Sequence, residues 1–443
     1  MSSKKLSKWI SVIGAVTVAV VVFSGCGGSG SGETKETSGN KTEAEAEFTP
    51  ALDTDSAGTL SVAGFMGNFE ALDQVVNNFN EYYPNITVSY EQNGSTQLVD
   101  YLENNEYVDI FMTAAGNLSD ENNKEMYAAD YCLDLSKENI DVSAIKDEMV
   151  DACMTDGKLL RIPLAENTFG MVVNKTLLEN EGLDVPTDYK EFQEVLKQLK
   201  EKGYNPIQGS SIHVYSEITA NMAYTQIGTD KELCEKLNNK DSEAAEELRP
   251  VMEKLDDIIR NQYTDYSVNE TYPPDNYDQA ILRFFEGDVP FWICSTECVS
   301  GMKKRESKSE TFTENPFDYQ FLFIPVGEKG AYEYIEPWYG FSINKNSENK
   351  DYAVEFLRFL STEEQINIMG SVKGMPSVAK NSSDERYTGI LDQDLPEDSY
   401  MDKGEINNSV KNCIADVSNQ FGSGAYSNLD EAMEALKERI SQQ

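Results

Sequence analysis

An α/β protein with two hydrophobic cores is what this chain predicts, and three features carry that expectation. Segments with the apolar spacing of strands alternate with segments whose apolar residues recur at helical spacing, from Thr59 to the C-terminus. The first three such segments make a strand–helix–strand unit. The chain has 443 residues, 40% of them apolar, which is enough for two domains with proper cores.

In chain order, a basic leader with Lys4, Lys5 and Lys8 precedes an almost wholly apolar run from Ile10 to Phe23. That run is shorter than the ~20 residues a membrane-crossing helix needs, so it reads as a secretory signal. Ser24 and Gly25 directly before Cys26 resemble the bacterial lipobox, in which the cysteine is acylated and becomes the first residue of the mature protein. Acyl chains, at ~0.8 kcal/mol per buried methylene, would hold the protein at a membrane face. Residues 1–25 are then a signal peptide. Residues 26–58, rich in Gly, Ser, Glu and Thr, form a tether with too few large apolar side chains to fold.

The body starts with a strand at Thr59–Ala63. A helix follows, with Leu72, Val75, Val76 and Phe79 on one face; Pro84 stops it, and Ile86–Tyr90 returns as a strand. Asp109–Met112 is a third strand, running into the small-residue loop Thr113–Gly116, at the kind of sheet edge where α/β proteins bind ligands. Lys158–Leu164 and Phe169–Asn174 read as strands, Asp188–Lys202 as a helix closed by Gly203, and Gly228–Tyr263 as charged and helical. A helix ends at Ala280–Phe285, before an apolar strand at Val289–Cys294. Lys303–Asn315 reads as a polar loop, Phe321–Pro325 as a strand, and Asp351–Leu360 and Asn428–Ile440 as helices.

Charge and scarce residue types narrow the function. Lys plus Arg number 37 against 77 Asp plus Glu, a net charge of −40, which repels nucleic acid and anionic head groups and favours a soluble monomer. His213 is the single histidine, so Ser-His-Asp and Cys-His arrangements are out unless it serves in one. No pair of C-x-x-C units is present, so no structural zinc is expected, and no cofactor is implied. Six cysteines remain after Cys26; buried free thiols are the expected state of most, and Cys294 and Cys298, four apart, would make a strained bridge within a helix.

These segments resemble, in order, the extracellular solute-binding lipoproteins of ABC importers, the large family whose best-known members bind sugars and maltodextrins. The resemblance covers most of 59–380. It rests on Gly58–Tyr90, Val108–Phe111, Gly157-Lys158 with Ile162-Pro163 and Val173–Lys175, Gly182–Thr187, Phe284–Asp288, Ala353–Leu360 and Gly374–Pro376. It implies a two-lobed periplasmic-binding-protein-like fold of type II with a ligand cleft between the lobes. Lobe one would be 59–164 with 325–370, and lobe two 165–324 with 371–443.

By position, the family's cleft loops fall on Phe65 and Asn68, on Thr113, on Glu166 and Asn167, and on Ser295 and Glu297; Trp338 and Tyr339 join them at an expected lobe crossing. Sugars present patterned hydroxyls and apolar C–H faces, which flat aromatics, amides and carboxylates suit. The departure from the family lies at Glu297, where its best-known members carry an aromatic nearby. The function implied is capture of a small solute, most simply a carbohydrate, and delivery to importer permease subunits from a lipid anchor on the outer face of a Gram-positive type surface. Two alternatives stand beside it: a surface adhesin or sensor partner of the same fold, and an extracellular glycosidase using two carboxylates.

Overall fold

The Thr59–Ala63 segment forms strand β1 (Gly58–Gly64), which pairs in parallel with β2 (Ile86–Gln92) from Gly58↔Ile86 to Gly64↔Gln92. Between them the helix Glu70–Tyr82 buries Leu72, Val75 and Phe79; Val76 is only partly covered. The computed structural model describes residues 48–443 except 68, 95–96, 115, 117, 119–127, 210–212, 273–276, 374 and 383–395. The leader, Cys26 and the first part of the tether lie outside the described residues.

Strand β3 (Ile110–Ala114) adds to β1 in parallel. A hairpin of β4 (Met154–Thr155) and β5 (Lys158–Leu159) turns on Asp156 and Gly157, both at positive φ, as a tight two-residue turn requires. The remaining strands are β6 (Ile162–Asn174), β7 (Ile207–Gly209), β8 (Phe291–Ser295), β9 (Tyr319–Leu322), β10 (Tyr334–Ile343) and β11 (Tyr400–Met401). The main sheet has nine strands in the order β2-β1-β3-β10-β6-β8-β7, with β11 on β10 and β9 on β6.

One strand serves both halves of this sheet. β6 pairs with β10 from Ile162 to Thr168, then with β8 and β9 from Phe169 to Asn174. Ile162 and Leu164 belong to a core with Leu60, Val62, Phe79 and Phe341, which Val172 joins with Trp292 and Phe321; Met171 and Val173, on the opposite face from Val172, belong to a second core with Phe192, Leu199, Ile218 and Leu255. The two strand-like segments expected from 158 to 174 are therefore largely one strand of 13 residues.

The helix expected at Asp188–Lys202 spans Tyr189–Glu201. Asp188 caps it by accepting from the Glu191 N–H at 2.9 Å, and Gly203 ends it at φ +93°. The helix Asn408–Gly422 returns to the second core, its Ser418 hydroxyl 2.9 Å from that of Thr219 on the helix His213–Thr229. The final helix, Leu429–Gln442, buries Met433, Leu436 and Ile440.

Two expectations are corrected. Lys303–Asn315 is not a loop: it holds the end of the helix Glu297–Arg305 and the short helix Glu310–Glu314, whose Phe312 packs against Phe285 and Phe317. That segment is polar because its outer faces are wet. Residues 48–57, expected as tether, lie against the body: Phe48 meets Tyr82 and Phe359 edge-on, and the Ala51 N–H donates to Glu355 at 2.8 Å. The six cysteines from Cys132 onward are free, and all but Cys413 are buried; Cys294 stands on β8 and Cys298 in the following helix, not on one helix face. Among the described residues no helix is long and apolar enough to cross a membrane.

Candidate functional site

The two halves meet where β6 and β10 cross. Their antiparallel register runs Ile335↔Thr168, Glu336↔Asn167, Pro337↔Glu166, shifts at Tyr339↔Ala165 and returns at Gly340↔Pro163. Trp338 on β10 and Leu164 on β6 are left out of the pairing, with no residue inserted in either strand. Pro337 has no N–H to give to the ladder, and the pairing is irregular beside it. Trp338 is consequently half-exposed in a strand whose neighbours Pro337, Tyr339 and Gly340 are buried.

Phe65, just beyond the end of β1, completes an aromatic cluster. Its ring centroid lies 6.4 Å from Trp338 and 6.4 Å from Tyr339, both edge-on, and Trp338 and Tyr339 are 5.0 Å apart. Tyr339 is the floor. It is fully buried against Phe69, burial pushes its phenol above the ordinary value, and its hydroxyl has no hydrogen-bond partner among the described residues. Phe65 and Trp338 keep part of their rings open, so the cluster offers flat apolar surface at the crossing.

Polar groups ring it. Asn167 is buried and its Oδ1 accepts from the Thr296 hydroxyl at 3.1 Å, while the Thr296 N–H donates to the Thr168 carbonyl at 3.0 Å. Ser295, the half-buried last residue of β8, faces Phe169 across the ladder. Thr113 is buried inside the sheet, its hydroxyl 3.5 Å from the Gly340 carbonyl. Glu166 is buried and ion-paired with Lys146; burial pushes its carboxyl up, and the ammonium offsets only part of this, leaving it raised. Of the residues singled out in the sequence, then, Phe65, Trp338 and Tyr339 touch, and Asn167 reaches the β8 end beside Ser295. Glu166 and Thr113 are engaged by the protein itself. Asn68 and the Glu297 side chain lie outside the described residues; the Glu297 backbone opens the helix Glu297–Arg305.

Several participants carry no local sequence signal. Arg161, fully buried, donates to the Ala114 carbonyl and, at 3.4 Å, to that of Gly116, holding the loop after β3. Gly116 sits at φ +103°, and a Cβ there would come within 2.1 Å of the Asn408 amide. The loop of the first half therefore touches the start of a second-half helix. Lys411, buried on that helix, pairs with Glu336 at 3.4 Å and with Asp402. Burial lowers its pKa, but the two carboxylates outweigh this and leave it raised. Glu217, one turn into the helix His213–Thr229, has its carboxyl pushed up to about 8 by burial.

Two surface grooves lie elsewhere. One of ≈ 770 Å³ is lined by Leu183, Pro186, Glu194 and Asp257, and one of ≈ 910 Å³ by Ser61, Glu91, Tyr107 and Asn346; neither includes a residue of the crossing. No cluster of metal-binding side chains occurs among the described residues.

The comparisons agree with this architecture. No curated protein sequence matches the chain. Solved structures do, over most of its length. A binding protein from Bacillus subtilis in an open conformation superposes with a TM-score of 0.68 at 14% identity, covering 88% of this chain and 98% of that one. A sugar transporter protein from Bacillus licheniformis in complex with stachyose gives 0.64 at 16% identity, covering 87% and 100%. RafE in complex with raffinose gives 0.64 at 16%, covering 87% and 99%. At such identities the likeness shows a shared two-lobed fold. The family model for bacterial extracellular solute-binding proteins matches residues 64–366, more than half of the chain, and with it the fold places this protein in that family: the chain is a bacterial extracellular solute-binding protein.

Proposed function

We propose that this protein captures a sugar or oligosaccharide between its two lobes and hands it to an ABC importer, with no chemistry of its own. The observation that carries the reading is the half-exposed Phe65–Trp338 pair at the crossing of β6 and β10, where a ligand would touch both halves at once. A ring face packs on apolar sugar C–H groups, and Asn167, Ser295 and Thr296 supply donors and acceptors nearby. The solutes in the named structures, raffinose and stachyose, are oligosaccharides. A ligand that contacts both lobes binds the closed form better, and that difference draws the equilibrium to closure, which the importer can read.

In this reading the lobes are 59–164 with 325–370, and 165–324 with 371–443. Cys26 carries the acyl chains that hold the protein at the outer membrane face, and Phe65, Asn68, Thr113, Glu166, Asn167, Ser295, Glu297, Trp338 and Tyr339 line or frame the cleft. The test is a thermal-shift screen of the purified protein against mono- and oligosaccharides, amino acids and polyamines. A sugar present at a hundredfold its Kd is expected to add ~2.7 kcal/mol of stability. Stabilisation by an amino acid or polyamine alone, with every sugar inert, overturns the sugar assignment.

A further inference from the structure

Among the described residues, the cations beside the crossing are already engaged. Arg161 is spent on the Ala114 and Gly116 carbonyls, Lys146 on Glu166, and Lys411 on Asp402 and Glu336. Glu217 has no cation and no hydrogen bond among the described residues, although its side chain is half-buried and burial pushes its carboxyl up.

Its position is set by its helix. The helix begins beyond the carboxyl end of β7, on the sheet edge where β8 also ends. One turn past Glu217, the Asn221 amide donates to the Phe169 carbonyl at 3.1 Å and the Tyr332 carbonyl at 3.3 Å; Phe169 is the residue at which β6 passes to the second half, opposite Ser295. Glu217 in turn acts electrostatically on the thiol of Cys294, the residue before Ser295. Its helix thus starts on the sheet edge that carries Ser295 and Thr296, with the carboxyl within electrostatic reach of β8.

Resting on the sugar-capture reading above, we propose that Glu217 is a ligand-reading carboxyl on the second-lobe wall, and that the solute it selects is a sugar bearing a protonated amine. An ionised carboxylate withdrawn from water without a partner is costly, so the free protein holds it neutral near pH 7. A neutral sugar leaves that state unchanged. A cationic nitrogen supplies the missing partner in a charge-assisted hydrogen bond and drives the carboxyl to ionise. The excess negative charge of the chain, −40, draws such a solute in. The group that feels Glu217 from β8 does not compete for this role: it is the free thiol of Cys294, hydrogen-bonded to that of Cys298 in the next helix and held well above its ordinary value by burial. Beside Glu217 on its own helix, the Ser216 N–H is taken by the uncharged Asn419 of the helix Asn408–Gly422. His213, on the same helix as Glu217, has its side chain outside the described residues.

Isothermal titration of the full chain with glucosamine and its β-1,4-linked dimer and trimer, against the N-acetylated counterparts and neutral raffinose, tests this. The amine-bearing member of a pair is expected to bind at least about tenfold tighter at pH 7. Titrations in buffers of different ionisation enthalpy should show up to ~1 proton released per ligand near pH 6, falling toward pH 8 as the free amine itself loses its proton and regains it on binding. Glu217→Gln should abolish both the preference and the proton release while leaving the melting temperature of the free protein at or above the parent's. Glu333→Gln, altering a second carboxyl raised by burial but beside Lys146, should leave both intact. Tighter binding of neutral sugars, or proton release that survives Glu217→Gln and vanishes in Glu333→Gln, overturns the proposal while the sugar-capture reading stands. Binding of no sugar of either kind overturns both.

Discussion

At the scale of single residues, Lys411 is the side chain on which the crossing depends most. It is buried on the helix Asn408–Gly422 and pairs with both Asp402 and Glu336, while the Tyr334 hydroxyl donates to Glu336 at 2.7 Å. Removing one partner of a buried ion pair leaves an uncompensated charge, which costs ~3–5 kcal/mol. Lys411→Ala should accordingly lower the urea midpoint by that much in free energy, and Lys403→Ala, at an exposed position nearby, should not. Equal stability of the two variants would show that the cluster is solvated. None of this was legible in the sequence. Lys411, Asp402 and Glu336 are three ordinary charges among 37 cationic and 77 acidic residues, and only their convergence gives them a role. Trp338 and Phe65 differ: large aromatics in segments rich in Gly and Pro are rare enough to stand out along the chain itself.

At the scale of elements, the pairing of β10 with β6 is irregular between Pro337 and Gly340. Trp338 stands out of the ladder there, and Gly340 lets the two strands cross closely: a Cβ on it would lie 2.5 Å from the Ile162 carbonyl. Trp338→Ala removes the open ring without disturbing the pairing on either side. Ligand affinity should fall about tenfold or more, the free protein's melting temperature should shift little, and unchanged affinity in a titration would take Trp338 out of the cleft. Sequence periodicity found most helices, because an amphipathic stripe is a local signal: Glu70–Tyr82, Tyr189–Glu201, Lys350–Leu360 and Leu429–Gln442 all lie where their apolar spacing put them. It missed Asn408–Gly422 and most of His213–Thr229. These pack on each other with Ser418, Asn419, Thr219 and Asn221 buried between apolar residues, and buried polar side chains blur the stripe. It also broke β6 in two, since Glu166-Asn167-Thr168 reads as a polar interruption when burial by the other lobe is not known.

At the scale of the molecule, buried carboxyls set the response to pH. Burial raises Glu217 to about 8 and Glu333 to about 7, so between the unfolded value of about 4.5 and these values the folded state binds more protons than the unfolded. Stability contributed by these groups is lost as pH rises through that window. Glu246, held down at about 2 by Arg249 and Lys437, has the opposite sign: its contribution is present above about 4.5 and lost as pH falls toward 2. Thermal unfolding of the free protein should therefore be most favourable to the native state near pH 5, and Glu217→Gln should flatten the decline toward pH 8. A monotonic rise in stability from pH 5 to pH 8 would contradict the burial of both carboxyls. Local patterning along the chain was enough for the α/β class and the β1–helix–β2 opening, and composition for the excess of acids and the dearth of histidine. Tertiary structure alone decided that one strand is shared between two half-sheets, that residues 48–57 belong to the body, and which of many carboxyls stand unpaired at the crossing. The physical reason is range. Periodicity and capping act over a few residues, whereas burial and charge pairing depend on residues tens to hundreds of positions apart that meet only after folding.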